Sequence, residues 1–227
     1  MLITIFAVVL LIVLLLGIPV VFGLGFTSIF VIAMQRGIAD VPFAAIAQRL
    51  VYGINNFPIL AIPCFLLVGK LMNTVGVTER IFRFANSLVG HFHGGLGHAN
   101  VVASVIFSGM SGSAIGDIVA MGPIELKAMK DAGFPHRFSV AITAASSLIG
   151  PIIPPSIPMV FYGVLAGVSI GSLFIGGIIP GLLMAVSLMV WVYVKAKRNH
   201  YPKGELNAAE IWEGFKEAFV PLWTPVI

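Results

Sequence analysis

One stretch of this chain, Phe107-Ser108-Gly109-Met110-Ser111-Gly112-Ser113-Ala114-Ile115-Gly116-Asp117, is built of small and hydroxylated residues and ends in a carboxylate. Apolar runs at 101–107 and 118–124 flank it, each roughly half the length a helix needs to cross a bilayer. In hydrocarbon every backbone N–H and C=O must find a partner, so a glycine-rich break survives only inside protein or beside a water-filled cavity. Helix ends and free carbonyls at such breaks form solute sites. A second break follows at 150–158, Gly-Pro-Ile-Ile-Pro-Pro-Ser-Ile-Pro. Two interrupted apolar segments this close together restrict the chain to folds that bury irregular backbone at membrane depth.

Composition points to lipid as the main solvent of this chain. The 227 residues are 59% hydrophobic and 10% charged, with a mean hydropathy of +1.05; a soluble domain carries about 25% charged residues. An all-α polytopic membrane protein is expected. The formal net charge of +4 is spread along segment ends, as in cytoplasmic loops, and does not point to a nucleic-acid partner. Cys64 has no second cysteine to pair with and lies in an apolar run, which predicts a buried, inert thiol. No Cys or His spacing suits a metal site or a cofactor. The apolar N-terminus lacks a basic leader region and a small-residue cleavage site, so it is expected to remain as a membrane helix.

In chain order, residues 2–34 are too long for one upright span. The breakers at 17–19 predict two short helices with a tight turn, with one strongly tilted helix as the alternative. A short amphipathic helix is expected around 43–52, capped by Asp40 and with Pro42 in its first turn; Arg49 is its interfacial charge. Asn55 and Asn56 read as turn residues. Residues 57–75 form a further span in which Lys70 is the oddity: it either snorkels to the interface or supplies a charge to an ion pathway. Residues 78–97 are amphipathic and basic, with His91, His93 and His98 among turn glycines, which favours loop or interface over metal ligation.

The segment 99–127 is the first broken one, followed by Glu125, Lys127, Lys130 and Asp131 as charges returning the chain to its starting side, hence a re-entrant helical hairpin (98–131). A broken transmembrane helix spans 138–168. Residues 169–194 make a full span, kinked at Pro180-Gly181. The densest basic cluster, Lys195-Ala196-Lys197-Arg198 with Lys203, marks the cytoplasmic side. Counting back puts 80–98 and 127–137 on that side, 35–56 opposite, and the N-terminus in the periplasm. Residues 205–219 read as an amphipathic surface helix with Ala208, Ile211, Trp212, Phe215 and Phe219 on its apolar face, and 222–227 as the start of another span.

Two other function classes compete. Gly109-Met110-Ser111-Gly112 matches the G-x-S-G pattern of intramembrane serine proteases, but such chemistry needs a histidine beside the serine, and the two spans after Ser111 contain none. A channel would also use carbonyl-lined breaks, yet no filter-like repeat is present. The chain is not expected to be an enzyme.

The strings Leu60-Ala61-Ile62-Pro63, Leu88-Val89-Gly90, Gly94-Gly95-Leu96, Ser111-Gly112-Ser113, Asp117 and above all Gly150-Pro151-Ile152-Ile153-Pro154-Pro155-Ser156 resemble the large membrane subunit of the tripartite ATP-independent periplasmic (TRAP) transporters, the DctM-type permease. The resemblance covers the first of the family's two inverted repeats; Gly116 stands where the family usually has alanine. It implies an ion-transporter-type elevator fold, with scaffold helices at 1–90 and a transport unit at 91–168. A transmembrane helix at 169–200, a cytoplasmic arm helix at 201–221 and the start of the second repeat at 222–227 would follow. It further implies a multi-pass protein of the bacterial inner membrane that imports an organic acid (C4-dicarboxylate, sialic acid or sugar acid) on a sodium gradient. The acid would come from a periplasmic binding protein, and a small four-helix membrane subunit would be a partner. One repeat alone is expected not to transport.

A hard monovalent cation takes oxygen ligands. The expected sodium ligands are the hydroxyls of Ser111 and Ser113 and carbonyls around Gly150, Pro151 and Pro154; the expected substrate contacts are Ser108, Gly112, Asp117 and Ser156. Asp117 is either an N-cap for the second hairpin arm or the balance for a bound cation, and Ser156 either an N-cap or a ligand.

Overall fold

The computed structural model describes residues 2–54, 57–204 and 207–223. The described residues are helical throughout, without strands, and divide into two units, Met1–Asn55 and Asn56–Ile227.

In the first unit, α1 (Leu2–Leu15) and α2 (Val20–Arg36) are separated by a turn at 16–19, the two-helix arrangement the breakers predict. They pack closely at Gly23, where a Cβ would lie 3.2 Å from Val13 Cγ1. A 3-10 turn, Ile38–Asp40, leads to α3 (Phe43–Ile54). Asp40 closes that turn instead of capping α3, and Pro42 precedes the helix, its carbonyl accepting from Ile46 N at 3.0 Å. Arg49 is exposed.

The second unit begins with a 3-10 turn, Phe57–Leu60, and continues through α4 (Ala61–Thr74), α5 (Val77–Val89), α6 (Gly95–Ser111) and α7 (Ala114–Asp131). Then come α8 (His136–Ser147), α9 (Ile157–Ala166), α10 (Ile170–Asn199) and α11 (Ala208–Trp223). Helix α6 is central. One side packs with α5 and α7 through Ile81, Ala85, Ala103, Phe107 and Met121; the other meets α8 and α10 through Val101, Ile142, Ile149 and Val192. Helix α10 is the long apolar span: 30 residues, mean hydropathy 2.3 over its most apolar stretch, only 17% of that stretch buried. At 1.5 Å per residue it is about 45 Å long. Ile175, Ile179, Leu183 and Val186 face outward, an apolar exterior suited to lipid and not to water. The helix runs through Pro180 without an end.

The three basic segments expected on one side lie together at one end of this unit. Gly94 N donates to Pro202 O (3.1 Å) and Gly204 N to Gly90 O (2.9 Å). Phe134 and Phe138 meet the ring of Tyr201. Arg83 pairs with Glu217 at 2.9 Å, joining α5 to α11.

Three expectations are corrected. Cys64 is exposed, on the side of α4 that also leaves Leu67 and Leu71 uncovered. His98 is buried in the first turn of α6, with Phe92 edge-on to it, because that turn is packed within the unit. Glu125 is no return-loop charge; it is buried in the body of α7. Helix α11 covers Gly214 and Ala218, half-buries Ile211 and Phe215, and leaves Trp212 and Phe219 exposed. Small residues let α11 approach α5 closely; a Cβ on Gly214 would lie 3.4 Å from Phe84 Cα. Asn55, Asn56, Glu205 and residues 224–227 lie outside the described residues, so most of the expected new span at 222–227 does too; residues 222 and 223 continue α11.

Candidate functional site

Each break is built by a small set of capping contacts. Helix α6 stops at Gly112, whose φ of 55° is left-handed and whose N–H reaches back to Ser108 O. Such a φ is cheap for glycine and costly for residues with a Cβ. Ser113, in extended conformation, then caps α7, its hydroxyl accepting from Gly116 N at 3.3 Å. The N-cap role weighed for Asp117 therefore belongs to Ser113. Between α8 and α9 the chain runs through tight turns: Gly150 N donates to Ser147 O (3.1 Å), and Ile152 N and Ile153 N both donate to Ile149 O (2.9 Å each). The Pro154–Pro155 peptide is cis. Ser156 caps α9, accepting from Met159 N at 3.2 Å, and its own hydroxyl donates to Pro151 O at 2.6 Å.

The two breaks touch through their backbones. Ile157 N donates to Gly112 O at 3.1 Å. A Cβ on Gly112 would lie 2.6 Å from Pro155 O, and one on Gly150 would lie 3.3 Å from Ser113 O. Ser111, Gly112, Ser113, Gly150, Pro151, Pro154 and Ser156, singled out in two separate stretches of sequence, thus belong to one junction. Within it the oxygens differ in how far they are engaged. The Ser111 hydroxyl lies 3.5 Å from both Ser113 O and Ser113 N, at the weak limit of hydrogen bonding. Pro151 O is held by Ser156. Ser108 is fully buried and donates to Val105 O at 2.6 Å, so its hydroxyl serves its own helix.

A cavity of about 380 Å³ opens beside the junction. Its polar wall comes from Lys70 and Thr74 of α4 with Ser111 and Ser113, close to Gly69 and Gly116; the rest is apolar. Asp117 sits behind this wall, 2% exposed, facing Ser104, with no hydrogen-bond partner for Oδ1 among the described residues.

A polar network that the sequence reading missed lies deeper between the helices. The Asn100 amide donates to Glu125 Oε2 and to Thr143 Oγ1 (2.7 Å each), and Ser146 Oγ donates to Asn100 Oδ1 at 2.6 Å. All are buried, Asn100 completely, and they tie α6, α7 and α8 together. A signal was available: Asn100, Ser104, Ser108 and Ser111 recur at helical spacing down one side of α6.

The chain matches the family described as "Tripartite ATP-independent periplasmic transporter, DctM component" over residues 7–227. It is 48% identical over 214 residues to the sialic acid TRAP transporter large permease protein SiaM of Vibrio cholerae, covering 93% of this chain and 49% of that protein. It is 46% identical over 218 residues to the sialic acid TRAP transporter permease protein SiaT of Haemophilus influenzae (96% and 35%). Against the C4-dicarboxylate TRAP transporter large permease protein DctM of Rhodobacter capsulatus it is 36% identical over 217 residues (89% and 49%). The chain spans about half or less of the length of these curated relatives. They are transporter permeases and not enzymes, and among the described residues no histidine is hydrogen-bonded to Ser111; the protease reading is not favoured. The chain is therefore an all-helical membrane protein that belongs to the DctM component family of TRAP transporter large permeases.

Proposed function

We propose that this chain is the first inverted repeat of the large permease subunit of a sodium-coupled secondary transporter. It would import an organic acid delivered by a periplasmic binding protein across the bacterial inner membrane. The observation that carries the reading is the backbone junction of the two breaks, Ile157 N to Gly112 O with Gly150 against Ser113. Irregular backbone at membrane depth is sustained where it borders a solute cavity, and half-helix ends there serve ions and anionic groups.

In this reading α6 and α7 form a re-entrant hairpin, and α8 and α9 the two halves of a broken span. Sodium is the coupling cargo. Its ligands are the Ser111 and Ser113 hydroxyls and carbonyls of Gly150, Pro151 and Pro154; Pro151 O, already accepting from Ser156, retains one lone pair for an ion. The weakly engaged Ser111 hydroxyl suits this role, because an ion then replaces a poor hydrogen bond instead of a good one. Gly112 and Ser156 line the approach of the acid, whose carboxylate faces N–H groups at the starts of α7 and α9. Ser108 supports the hairpin from within, and Asp117 balances the cation. Ion and acid then stabilise each other's binding reciprocally. The mobile element is an elevator-type transport unit, and the second repeat completes the pseudo-symmetric site. The small membrane subunit is the partner of the scaffold helices. The basic end that carries Arg83, Arg137 and Lys203 faces the cytoplasm.

The test is uptake of radiolabelled sialic acid and succinate into vesicles holding the complete transporter with its binding protein, with and without an inward sodium gradient. Uptake is expected only with the gradient. Ser111→Ala and Ser113→Ala are each expected to raise the half-saturating sodium concentration by about tenfold, which corresponds to about 1.4 kcal/mol. Gradient-independent uptake, or unchanged sodium dependence in both variants at normal expression, overturns the reading.

A further inference from the structure

A lysine inside an apolar helix is costly in lipid, and such residues face a cavity or a partner when they are retained. Lys70 is four residues from the end of α4 and exposed. It makes no ion pair with any described carboxylate, and the described ion pair lies elsewhere, between Arg83 and Glu217. What it does border is the cavity beside the first break, lined by Ser111, Ser113 and Gly116. Its neighbour Gly69 faces the hairpin tip, where a Cβ would make ordinary contact, at 3.9 Å, with Ser111 Cα.

Lys70 is the cation in the wall of that cavity, opposite Ser111 and Ser113. The remaining wall is mainly apolar, supplied by residues such as Leu66, Phe107 and Val119. A compact, unpaired positive charge beside the weakly engaged Ser111 hydroxyl suits the acid group of a solute. Building on the transporter reading above, we propose that Lys70 is a specificity-determining residue that binds the carboxylate of the transported acid in this cavity. The carboxylate would sit between two positive charges, the ammonium and the sodium ion held near Ser111 and Ser113. Lys70 and sodium repel each other until the anion arrives, so the acid relieves a repulsion as well as making a contact. That adds to the coupling between acid and ion without any residue touching both.

The experiment uses the complete transporter with its binding protein, and radiolabelled sialic acid, or succinate if that is the acid the wild type takes up. Lys70→Gln is expected to raise KM for the acid at least tenfold, while Lys70→Arg, which keeps the charge, stays within about threefold of wild type. Competition with the methyl ester of the same acid supplies a readout that a packing role does not move. Wild type should prefer the free acid strongly over the ester, and Lys70→Gln should lose most of that preference. An unchanged KM and an unchanged acid-to-ester ratio in Lys70→Gln at normal expression overturn the role of Lys70 and leave the transporter reading intact. Equal damage in Lys70→Arg and Lys70→Gln with the acid preference kept also overturns it, since charge is then not what matters. Absence of gradient-driven uptake of either acid by the wild type overturns the transporter reading, and the role of Lys70 with it.

Discussion

Helix α10 and the α6–α7 pair occupy the same unit and answer the same solvent in opposite ways. Helix α10 runs unbroken for 30 residues, satisfies its backbone internally and turns isoleucine, leucine and valine outward. The α6–α7 pair stops at Gly112, restarts at Ser113 and turns its polar residues inward: Asn100, Ser104, Asp117 and Glu125 are all buried. The first arrangement is what a bilayer asks of any span. The second spends buried polar groups and an interrupted ladder on something other than crossing, and it does so where the second break meets it. Even α10 bends to this need. Its Gly177 and Gly181 lie against Ile152 and Ile153 of the second break, where any Cβ would collide, so the plain helix supports the irregular one.

The largest effect expected on this contrast comes from filling Gly112. Gly112→Ala puts a Cβ on a left-handed residue and within 2.6 Å of Pro155 O, with backbone on both sides and nothing flexible to yield. A loss of about 4 kcal/mol or more is expected, visible as loss of folded protein in detergent melts and of all uptake. Asn100→Ala comes next. It leaves Glu125 Oε2 and the Ser146 and Thr143 hydroxyls without the amide they share. A buried polar group left stranded costs about 1–3 kcal/mol; the Ser146 hydroxyl keeps Thr143 O at 3.1 Å, so a total destabilisation of about 2–3 kcal/mol, with a clear drop in melting temperature, is expected. A melt identical to wild type would show that water replaces the amide freely and that the network is not sealed. Gly176→Ala in α10 is the smallest. Nothing lies within 4 Å of its added Cβ, so a change of at most about 1 kcal/mol is expected, in the stabilising direction. A loss comparable to Asn100→Ala would mean that this side of α10 is packed in the complete protein and is not lipid-facing.

Much of this was readable from residues because glycine and proline act locally. The turn at 16–19, the stop at Gly112 and the unwound stretch between α8 and α9 follow from backbone preference and missing N–H groups, whatever surrounds them. Faces were harder to read. In water, polarity separates inside from outside along a helix; in lipid both are apolar, and the side that packs is chosen by size. Thus α11 covers the small Gly214 and Ala218 and leaves Trp212 and Phe219 exposed. The apolar run around Cys64 predicts burial for the same reason, yet the residue is exposed. Glu125 was misread for a different reason: its neighbours Lys127, Lys130 and Asp131 are charged, and only the fold shows that it points to Asn100 while they do not. The sequence leaves Lys70 between two roles, since the cavity it borders is built from α4, α6 and α7 together.

The bond from Ile157 N to Gly112 O belongs to the main chain at both ends. No side chain takes part in it. Side chains that do not crowd this backbone can therefore change identity while the joint keeps its geometry; the positions closed to change are those where a Cβ would meet the main chain, as at Gly112.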